Sequence, residues 1–461
     1  MRKLIALIAL STLVGSAFAG DFLGLSNFEA DGSLEVLGVQ ANNETDIDDS
    51  NKDSRGATIT RVRVGVNMDV TEDVSGRIEL TRNGENGAVS QYGDGASSID
   101  NETASIVFQN AYVDLANFLG LDNVRLGRQY VGRQGDILLF AGPVNDDLLS
   151  ISSIDALHLA KKVGPVDILF VTGKAAEDDG VPTSGTETDA NGAGEINLTY
   201  GSIIVDALMN NDNMSLPLEL GYYQGTNARV GNNPSDNTTI TIMDLRADFK
   251  AMEDRLTLGA QYMSNGGQQN TGPSTEVKYK GSATNIMAAW DASENRWGIK
   301  GLLAAASGDD TVDAEDKSFR DYSAVGASAS DMRFGEIWSN SNTFAAAAGI
   351  GGAGLDTGAQ GPGLNVSALK AYYTLPVMEQ KWKLLADYYM IKSSKDIPGT
   401  GSKKLGNELD LIVDYAHSET VSATAGYAML TPKDGFTGGT APDDDITKLW
   451  AKLNVKFGNQ D

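Results

Sequence analysis

ITRVRVGVNMDVTEDVSGRIELTR, from Ile59 to Arg82, is the stretch that decides the fold. Between Arg61 and Val70 the even-numbered residues are Val or Met, and the odd-numbered residues are Arg, Gly, Asn or Asp. This alternation has the period of a β-strand with one apolar and one polar face. After Thr71-Glu72-Asp73 it resumes as far as Leu80, so the stretch predicts a tight antiparallel hairpin.

The two faces of this hairpin differ from those of a hairpin in a soluble sheet. One face is a plain aliphatic stripe, and the other carries Arg61, Arg63, Asp69, Arg77 and Glu79. Strands cross a lipid bilayer only as a closed barrel, in which lipid-facing and lumen-facing residues alternate. We therefore interpret the hairpin as the repeating unit of an all-β transmembrane antiparallel β-barrel, with the aliphatic face toward lipid and the charged face toward a lumen.

The first 19 residues, MRKLIALIALSTLVGSAFA, have the pattern of a secretory signal peptide. Two basic residues precede a short apolar run that ends in Ala-Phe-Ala, a typical cleavage motif. The run is shorter than the roughly 20 residues that a membrane-spanning helix needs. We expect cleavage before Gly20, which leaves residues 20–461 as a single outer-membrane barrel domain.

Composition limits the possible functions of the exported chain. Without the two basic residues of the signal it carries 34 Lys and Arg against 62 Asp and Glu, a net charge of −28, which argues against nucleic acid as a partner. Cysteine is absent, so disulfides cannot hold the exported chain together, whereas a closed ladder of backbone hydrogen bonds can. Glycine is abundant, with 52 residues, and proline is scarce, with 11, as suits strands and turns.

Similar alternating segments follow one another along the chain and number about 18. They form hairpins whose short turns fall on one side, whereas the long polar connections fall on the other, and the longest connection covers about residues 308–362. Bacterial outer-membrane barrels have an even number of strands, short periplasmic turns and long extracellular loops. Several soluble β domains are the architectural alternative, but no Pro-rich or Ser-rich linker divides the chain.

Several short motifs resemble those of the alginate-export-type outer-membrane porins. They are AYVDL at Ala111–Leu115, LGRQ at Leu126–Gln129 with Asp136 following, RFGE at Arg333–Glu336, LGNELDL at Leu405–Leu411 and AGY at Ala425–Tyr427. The resemblance implies an 18-stranded monomeric pore, narrowed by inward loops, that lets a polar solute cross the outer membrane. Family members that carry acidic polysaccharide have lumens lined heavily with Arg and Lys. This chain departs from them because its polar parity carries both signs of charge, and because Gly-Asn-Gln-Asp follows its last aromatic residue, Phe457.

The alternate positions that form the polar face of each predicted strand supply the candidate pore-lining residues. They are Arg61, Arg63, Arg77, Glu79, Arg125, Arg246, Lys300, Lys383, Asp387 and Asp410. Because both signs of charge occur, we expect the lumen to be moderately selective at best. Cross-strand pairing within the wall is the structural alternative for each residue, and it is the commoner role of such charges.

Five further residues are candidates for a constriction of the pore. Arg128 shares its parity with Val124 and Leu126, so it would face lipid unless it lies beyond the membrane edge or follows a bulge. We place it near a loop, where it can join Arg133 and Asp136 in an inward-folded constriction. The other two candidates, in the longest loop, are Arg333 and Glu336.

The sequence offers little for catalysis or metal binding. There is no cysteine, and neither histidine, His158 or His417, lies in a nucleophile-elbow or metal-binding spacing. The acidic stretches at 309–316 and 443–445 lack the Asp-x-Asp-x-Asp-Gly pattern of a calcium loop, so loops that hold divalent ions loosely are the simpler interpretation. We predict no catalytic residue, no metal site and no cofactor, with an outer-membrane enzyme as an alternative from another class.

Together these features predict a porin of the bacterial outer membrane, through which small hydrophilic solutes or ions diffuse passively along a mixed-charge lumen. A channel selective for acidic sugars or oligosaccharides, such as alginate, is the first alternative. An adhesin that uses the long outer loops is a further one. The expected partners are the solutes, outer-membrane lipid and lipopolysaccharide, without nucleic acid, and a monomer is favoured over a trimer.

Overall fold

A computed structural model describes most of the chain. The described residues are 26–43, 54–82, 106–143, 152–176, 195–207, 213–228, 237–272, 275–292, 296–325, 327, 330–339, 355–376, 381–397, 399–437 and 444–458. The signal peptide predicted over residues 1–19 lies outside them. Within these ranges no helix is both long and apolar enough to span a membrane.

Eighteen antiparallel strands form one closed sheet. In chain order they are β1 (Ser26–Asn42), β2 (Arg55–Thr71), β3 (Val74–Arg82), β4 (Ile106–Ala116), β5 (Asn123–Gln129), β6 (Ile154–Val163), β7 (Val166–Ala176), β8 (Glu195–Asp206), β9 (Pro217–Ala228), β10 (Thr238–Ala251), β11 (Leu256–Gly272), β12 (Ser282–Asp291), β13 (Trp297–Ala306), β14 (Leu364–Thr374), β15 (Trp382–Ser393), β16 (Lys404–Ala416), β17 (Val421–Pro432) and β18 (Ile446–Phe457). Each strand pairs with the next, and β18 pairs with β1, which confirms the predicted 18-stranded barrel.

The two rims of the barrel differ in the length of their connections. One rim, which we call the turn rim, has turns as short as residues 72–73 and 164–165. The opposite loop rim has connections as long as residues 130–153 and 307–363. Short minor elements occur at both rims, among them a small hairpin of Val131–Gly132 with Phe140–Ala141 and a helical turn at Asp434–Thr437. This asymmetry is the one that the sequence predicts.

The alternation of the strands separates an apolar outer face from a charged inner one. On the outer face Leu369 exposes 60% of its surface and Leu245 exposes 59%. On the inner face Arg61 and Asp410 are buried. The register of the opening hairpin sets Val66 of β2 opposite Ile78 of β3, so the aliphatic stripe continues from strand to strand. The apolar outer face is the one that a barrel turns toward lipid.

Near the loop rim, part of the inner face is apolar as well. Ile240 and Ile242 of β10 are fully buried and share the inward parity of Arg246. They belong to one apolar cluster with Tyr322 and Val325 of the 307–363 loop, so this described part of the loop folds into the barrel. The simple rule that apolar residues face lipid fails here, because the inward loop needs an apolar surface to pack against.

Aromatic side chains lie close to the turn rim. Trp382 stacks on Tyr415 with ring centroids 4.5 Å apart, and the guanidinium of Arg255 lies 5.2 Å from the ring of Trp290. Trp297 is exposed on the outer face. Amphipathic rings at this level are typical of the boundary between hydrocarbon and water.

A charge placed on the outer face should oppose membrane insertion. We expect Leu369→Arg to cost about 2–4 kcal/mol of folding free energy in a bilayer, because the guanidinium would enter hydrocarbon. Folding into lipid vesicles, followed by the heat-dependent gel shift of barrels, measures this loss. Val312→Arg is the matched control, since Val312 is 92% exposed in a loop. Equal effects of the two substitutions would contradict the assignment of the outer face.

Candidate functional site

The inner face of the first strands carries a network of paired charges. Arg61 donates to both carboxylate oxygens of Glu35, at 2.7 and 2.9 Å, and both side chains are buried. Arg77 binds Asp31 at 2.6 Å and Glu79 at 2.8 Å. These pairs satisfy the wall's own charges across neighbouring strands.

A recess of about 390 Å³ opens on this part of the wall. The guanidinium of Arg125 pairs with Asp114 at 2.8 Å and lies 4.0 Å from the ring centroid of Tyr112. Arg63 and Arg125 keep 21% and 28% of their side-chain surface exposed, so they present positive charge to a solute. The recess is lined by Asp31, Gly32, Arg63, Asn67, Arg77, Glu79, Asn110, Tyr112, Arg125 and Tyr130.

The remaining pore-lining candidates lie on the inner face of later strands. Lys300 of β13 is directly opposite Lys370 of β14, and Lys370 in turn pairs with Asp387 at 3.0 Å. The ammonium of Lys383 lies 3.8 Å from the ring centroid of Tyr372. Both signs of charge therefore occur on this part of the wall as well, with two lysines on neighbouring strands.

The 130–153 loop folds inward and is tied to the wall by its charges. The hydroxyl of Tyr130 donates to Glu79 at 2.5 Å, and burial, followed by the charge of Glu79, raises the pKa of Tyr130. Arg133 pairs with Glu219 of β9 at 2.7 Å. Asp136 accepts from Arg246 of β10 at 3.1 Å. The structure thus brings together three of the predicted residues, Arg133, Asp136 and Arg246.

The two inward loops also meet each other. The backbone carbonyl of Asp136 accepts from the N–H groups of Asp331 and Met332, at 2.9 and 3.1 Å. The N–H of Gly135 donates to the side chain of Asp331 at 2.9 Å. Four hydrogen bonds of this kind, counting one from Ser330, join segments about 200 residues apart in the chain.

The middle of the 307–363 loop, around Glu336, contacts the part of the wall formed by β16 and β18. Lys448 of β18 donates to Glu336 at 3.0 Å, and the N–H of Glu336 donates to Asp410 of β16 at 3.3 Å. Arg333 donates to the carbonyl of Ser339 within the loop. The loop segments 133–136 and 330–339 therefore form a crossbar that runs from β9 and β10 to β16 and β18. A solute that crosses the barrel must pass beside it.

Arg128 lies outside this crossbar. The register between β4 and β5 is unbroken from Asn123 to Arg128, so no bulge reverses the parity. Arg128 stays on the outer face with Leu126 and binds Asp155 of β6 at 2.9 Å. Its position one residue before the end of β5 agrees with the expected place near a loop, but the carboxylate that it binds is that of Asp155 rather than that of Asp136.

Several acidic residues of the inner face were not among the predicted site residues, among them Asp31, Glu35, Glu219 and Glu408. Asp31, Glu35 and Glu219 each stand between apolar or glycine neighbours on their strands, so the alternation alone identifies them. The alternation does not show which group each one contacts.

A compact acidic cluster holds the 307–363 loop together. Arg320 binds Asp356 at 2.9 Å and approaches Asp316 at 3.8 Å, and the N–H of Asp321 donates to Asp356 at 3.0 Å. Burial, and then the neighbouring carboxylate of Asp356, raise the pKa of Asp321 to about 7. In the part of the chain that the structure describes, no three acidic or histidine side chains could hold a metal ion.

Comparison with known proteins supports the fold. No family model matches the chain, and no curated protein matches it. Among solved structures it is similar to OpdQ of Pseudomonas aeruginosa, at 9% identity and a TM-score of 0.55 over 94% of this chain and 98% of that chain. OpdL of the same organism is 11% identical, with a TM-score of 0.55 over 94% of this chain and 99% of that chain. The outer membrane protein opdK of that organism is 9% identical, with a TM-score of 0.51 over 94% of this chain and 99% of that chain.

The chain has the fold of an outer-membrane barrel. Because these identities are so low, the likeness shows the fold alone, and function has to be argued from the lumen. None of the matched structures that we name is described as an alginate exporter, so the finer family assignment made from the motifs stays a prediction.

Removing one partner of the buried Arg61–Glu35 pair should destabilise the barrel. We expect Glu35→Gln to lower the free energy of unfolding by about 3 kcal/mol, because a buried guanidinium loses its counter-charge. Urea unfolding in detergent or lipid measures the change. Glu29→Gln, at an exposed position of the same strand, should have little effect. If both substitutions lowered the free energy of unfolding equally, the stabilising role of the buried Arg61–Glu35 pair would be contradicted.

The raised pKa of Asp321 predicts a pH-dependent loop. The folded chain keeps this proton up to about pH 7, whereas the unfolded segment loses it near roughly pH 4. Between these two pH values the folded loop binds more protons than the unfolded loop. The contribution of Asp321 to stability is therefore greatest below about pH 4, and it falls as the pH rises to about 7. Hydrogen exchange of residues 315–325, corrected for intrinsic rates, should show faster opening toward pH 7.

Asp321→Asn should flatten this pH dependence, since the amide does not titrate. Asp310→Asn, at an exposed carboxylate of the same loop, is the matched control and should retain the slope of the wild type. Identical slopes in all three proteins would rule out Asp321 as the responsible group.

Proposed function

We propose that the protein is a passive porin of the bacterial outer membrane for small hydrophilic solutes. The observation that carries this proposal is a closed barrel with an apolar outer face and an inner face that carries charges of both signs around a recess of about 390 Å³. An outer face of this kind suits lipid, and a charged, water-accessible inner face suits polar solutes.

The pairing of the inner charges supports weak rather than strong ion selectivity. Arg61, Arg77 and Arg246 each bind carboxylates of the wall or loop, so their fields are largely cancelled close by. Arg125 also binds a carboxylate, that of Asp114, but Arg125 and Arg63 keep the largest exposed fractions of these side chains, 28% and 21%. A lumen with such compensation discriminates modestly between anions and cations.

Selective passage of acidic sugars is the second candidate function. It is favoured by Arg63 of β2, Arg77 of β3 and Arg125 of β5, which all line the recess, and by the motif resemblance to alginate-export-type porins. One matched structure is that of OpdK of Pseudomonas aeruginosa with vanillate. The vanillate belongs to that protein and is not a ligand shown for this chain. The adhesin and enzyme alternatives, lipopolysaccharide contact and a monomeric state stay predictions.

Incorporation of the purified protein into a planar bilayer tests the main proposal. We expect stepwise increases of current, each from one inserted barrel. Reversal potentials in a salt gradient then separate the two pore functions, since clear cation selectivity would contradict a channel for acidic sugars. A folded protein that never conducts would remove both.

Neutralising the two partly exposed arginines should shift the selectivity toward cations. We expect Arg63→Gln with Arg125→Gln to change the anion-to-cation permeability ratio about fivefold or more, since each unit charge acts with about 0.5 kcal/mol over roughly 8 Å of water-like medium and the two effects add. The control is Lys162→Gln with Lys278→Gln, two exposed cations outside the recess. Equal shifts in both double variants would exclude the recess as the selective region.

A further inference from the structure

The carboxylate of Glu408 is bound by the backbone of a loop rather than by a cationic side chain. Glu408 lies on the inner face of β16 and is fully buried. One of its oxygens accepts from the N–H of Ile337 at 2.6 Å, and the other accepts from the N–H of Trp338 at 2.9 Å. Both loop residues are themselves buried.

The loop turn is shaped around this carboxylate. Gly335 has φ +125°, and a Cβ at this position would lie 2.5 Å from the carboxyl carbon of Glu408. The N–H of Phe334 donates to the hydroxyl of Ser339 at 2.7 Å and closes the turn. Successive N–H groups that point into one concavity form a binding site for anions. We call residues 333–339 the tip segment.

We propose that the tip segment is a backbone receptor for a carboxylate, and that its occupation by Glu408 fastens the crossbar and thereby sets the bore of the pore. This inference rests on the proposed porin function. It makes Glu408 a positioning residue, which acts on the solute through the loop that it holds.

The tip segment is one of the two ends at which the crossbar is fastened to the wall. At the other end, the crossbar is fastened by the ion pairs of Arg133 and Asp136 with β9 and β10. At this end Lys448 binds the carboxylate and the backbone carbonyl of Glu336, at 3.0 and 2.8 Å, and the N–H of Glu336 donates to Asp410 at 3.3 Å. The ring of Trp338 lies 5.9 Å from that of Phe436. Glu408 adds the two bonds, at 2.6 and 2.9 Å, that hold the backbone N–H groups of Ile337 and Trp338.

Two substitutions break the same contact from opposite sides. Glu408→Ala removes the carboxylate, and Gly335→Ala puts a methyl group where the carboxylate lies without changing any charge. We expect each to raise single-channel conductance by roughly half, because the released tip segment leaves more of the cross-section open. Recovery of the heat-dependent gel shift confirms that each variant barrel has folded.

Each substitution has a matched control. Asp414→Asn removes a carboxylate from the inner face of the same strand, where Thr424 donates to it at 2.7 Å. Gly358→Ala changes another glycine of the 307–363 loop with positive φ, +91°, but no atom lies within 4 Å of the added Cβ. Both controls should conduct like the wild type.

Acetate distinguishes a receptor from a merely structural contact. In Glu408→Ala the vacated tip segment should bind added acetate, at roughly millimolar to tens of millimolar concentration, and conductance should return toward the wild-type value. Gly335→Ala should not respond, because its methyl group blocks the site. Wild type measured in the same acetate and chloride mixtures corrects for the current that acetate itself carries.

The outcomes are distinguishable. A raised conductance in both variants, with acetate rescue of Glu408→Ala alone, supports the proposal. Conductance unchanged in both variants, or raised in Glu408→Ala without any rescue, overturns it while the porin function stands. If Glu408→Ala does not fold, Gly335→Ala decides, since a wild-type conductance in that folded variant also overturns the proposal. A wild type that never conducts removes the porin function itself.

Discussion

The barrel depends on one constraint, which is that no backbone N–H or C=O can be left unpaired in hydrocarbon. The chain meets it by pairing each strand with the next and β18 with β1, and it does so without a single cysteine. Closure fixes the register of every strand against two neighbours. A side chain's direction then follows from its parity, except at a bulge such as the one between Glu79 and Leu80, where β4 gains a residue.

This constraint explains how much of the molecule could be predicted from sequence. The alternation from Arg61 to Val70 specifies the hairpin, its two faces and, by repetition, the barrel. The same rule places Arg246 inward and, because the β4–β5 register is unbroken, Arg128 outward. It fails at Ile240 and Ile242, whose inward apolar side chains pack on Tyr322. The alternation is reversed in this segment, with Thr239 and Thr241 on the outer face, so only the tertiary contact reveals which face is inside.

The crossbar could not be predicted, and the reason is physical. Asp136 meets Arg246 and Asp331, which lie far away in sequence, and any of several inner-face arginines offers a similar charge. Choosing among them depends on backbone geometry and on the entropy of closing long loops, not on residue type. Sequence therefore suggested Arg133, Asp136 and Glu336 as constriction residues, and Arg246 and Asp410 as wall residues, but not which of them are in contact.

The distribution of paired and exposed charges sets what a solute meets. Arg61 and Glu35 are buried against each other, so they stabilise the wall and add little field to the lumen. A charge influences permeation only where it keeps surface toward water, as Arg63 and Arg125 do. Most of the charges that make the inner face polar are thus engaged in holding the wall and crossbar in place. The chain's large negative charge is therefore a poor guide to the field inside the barrel, because most of these charges are paired.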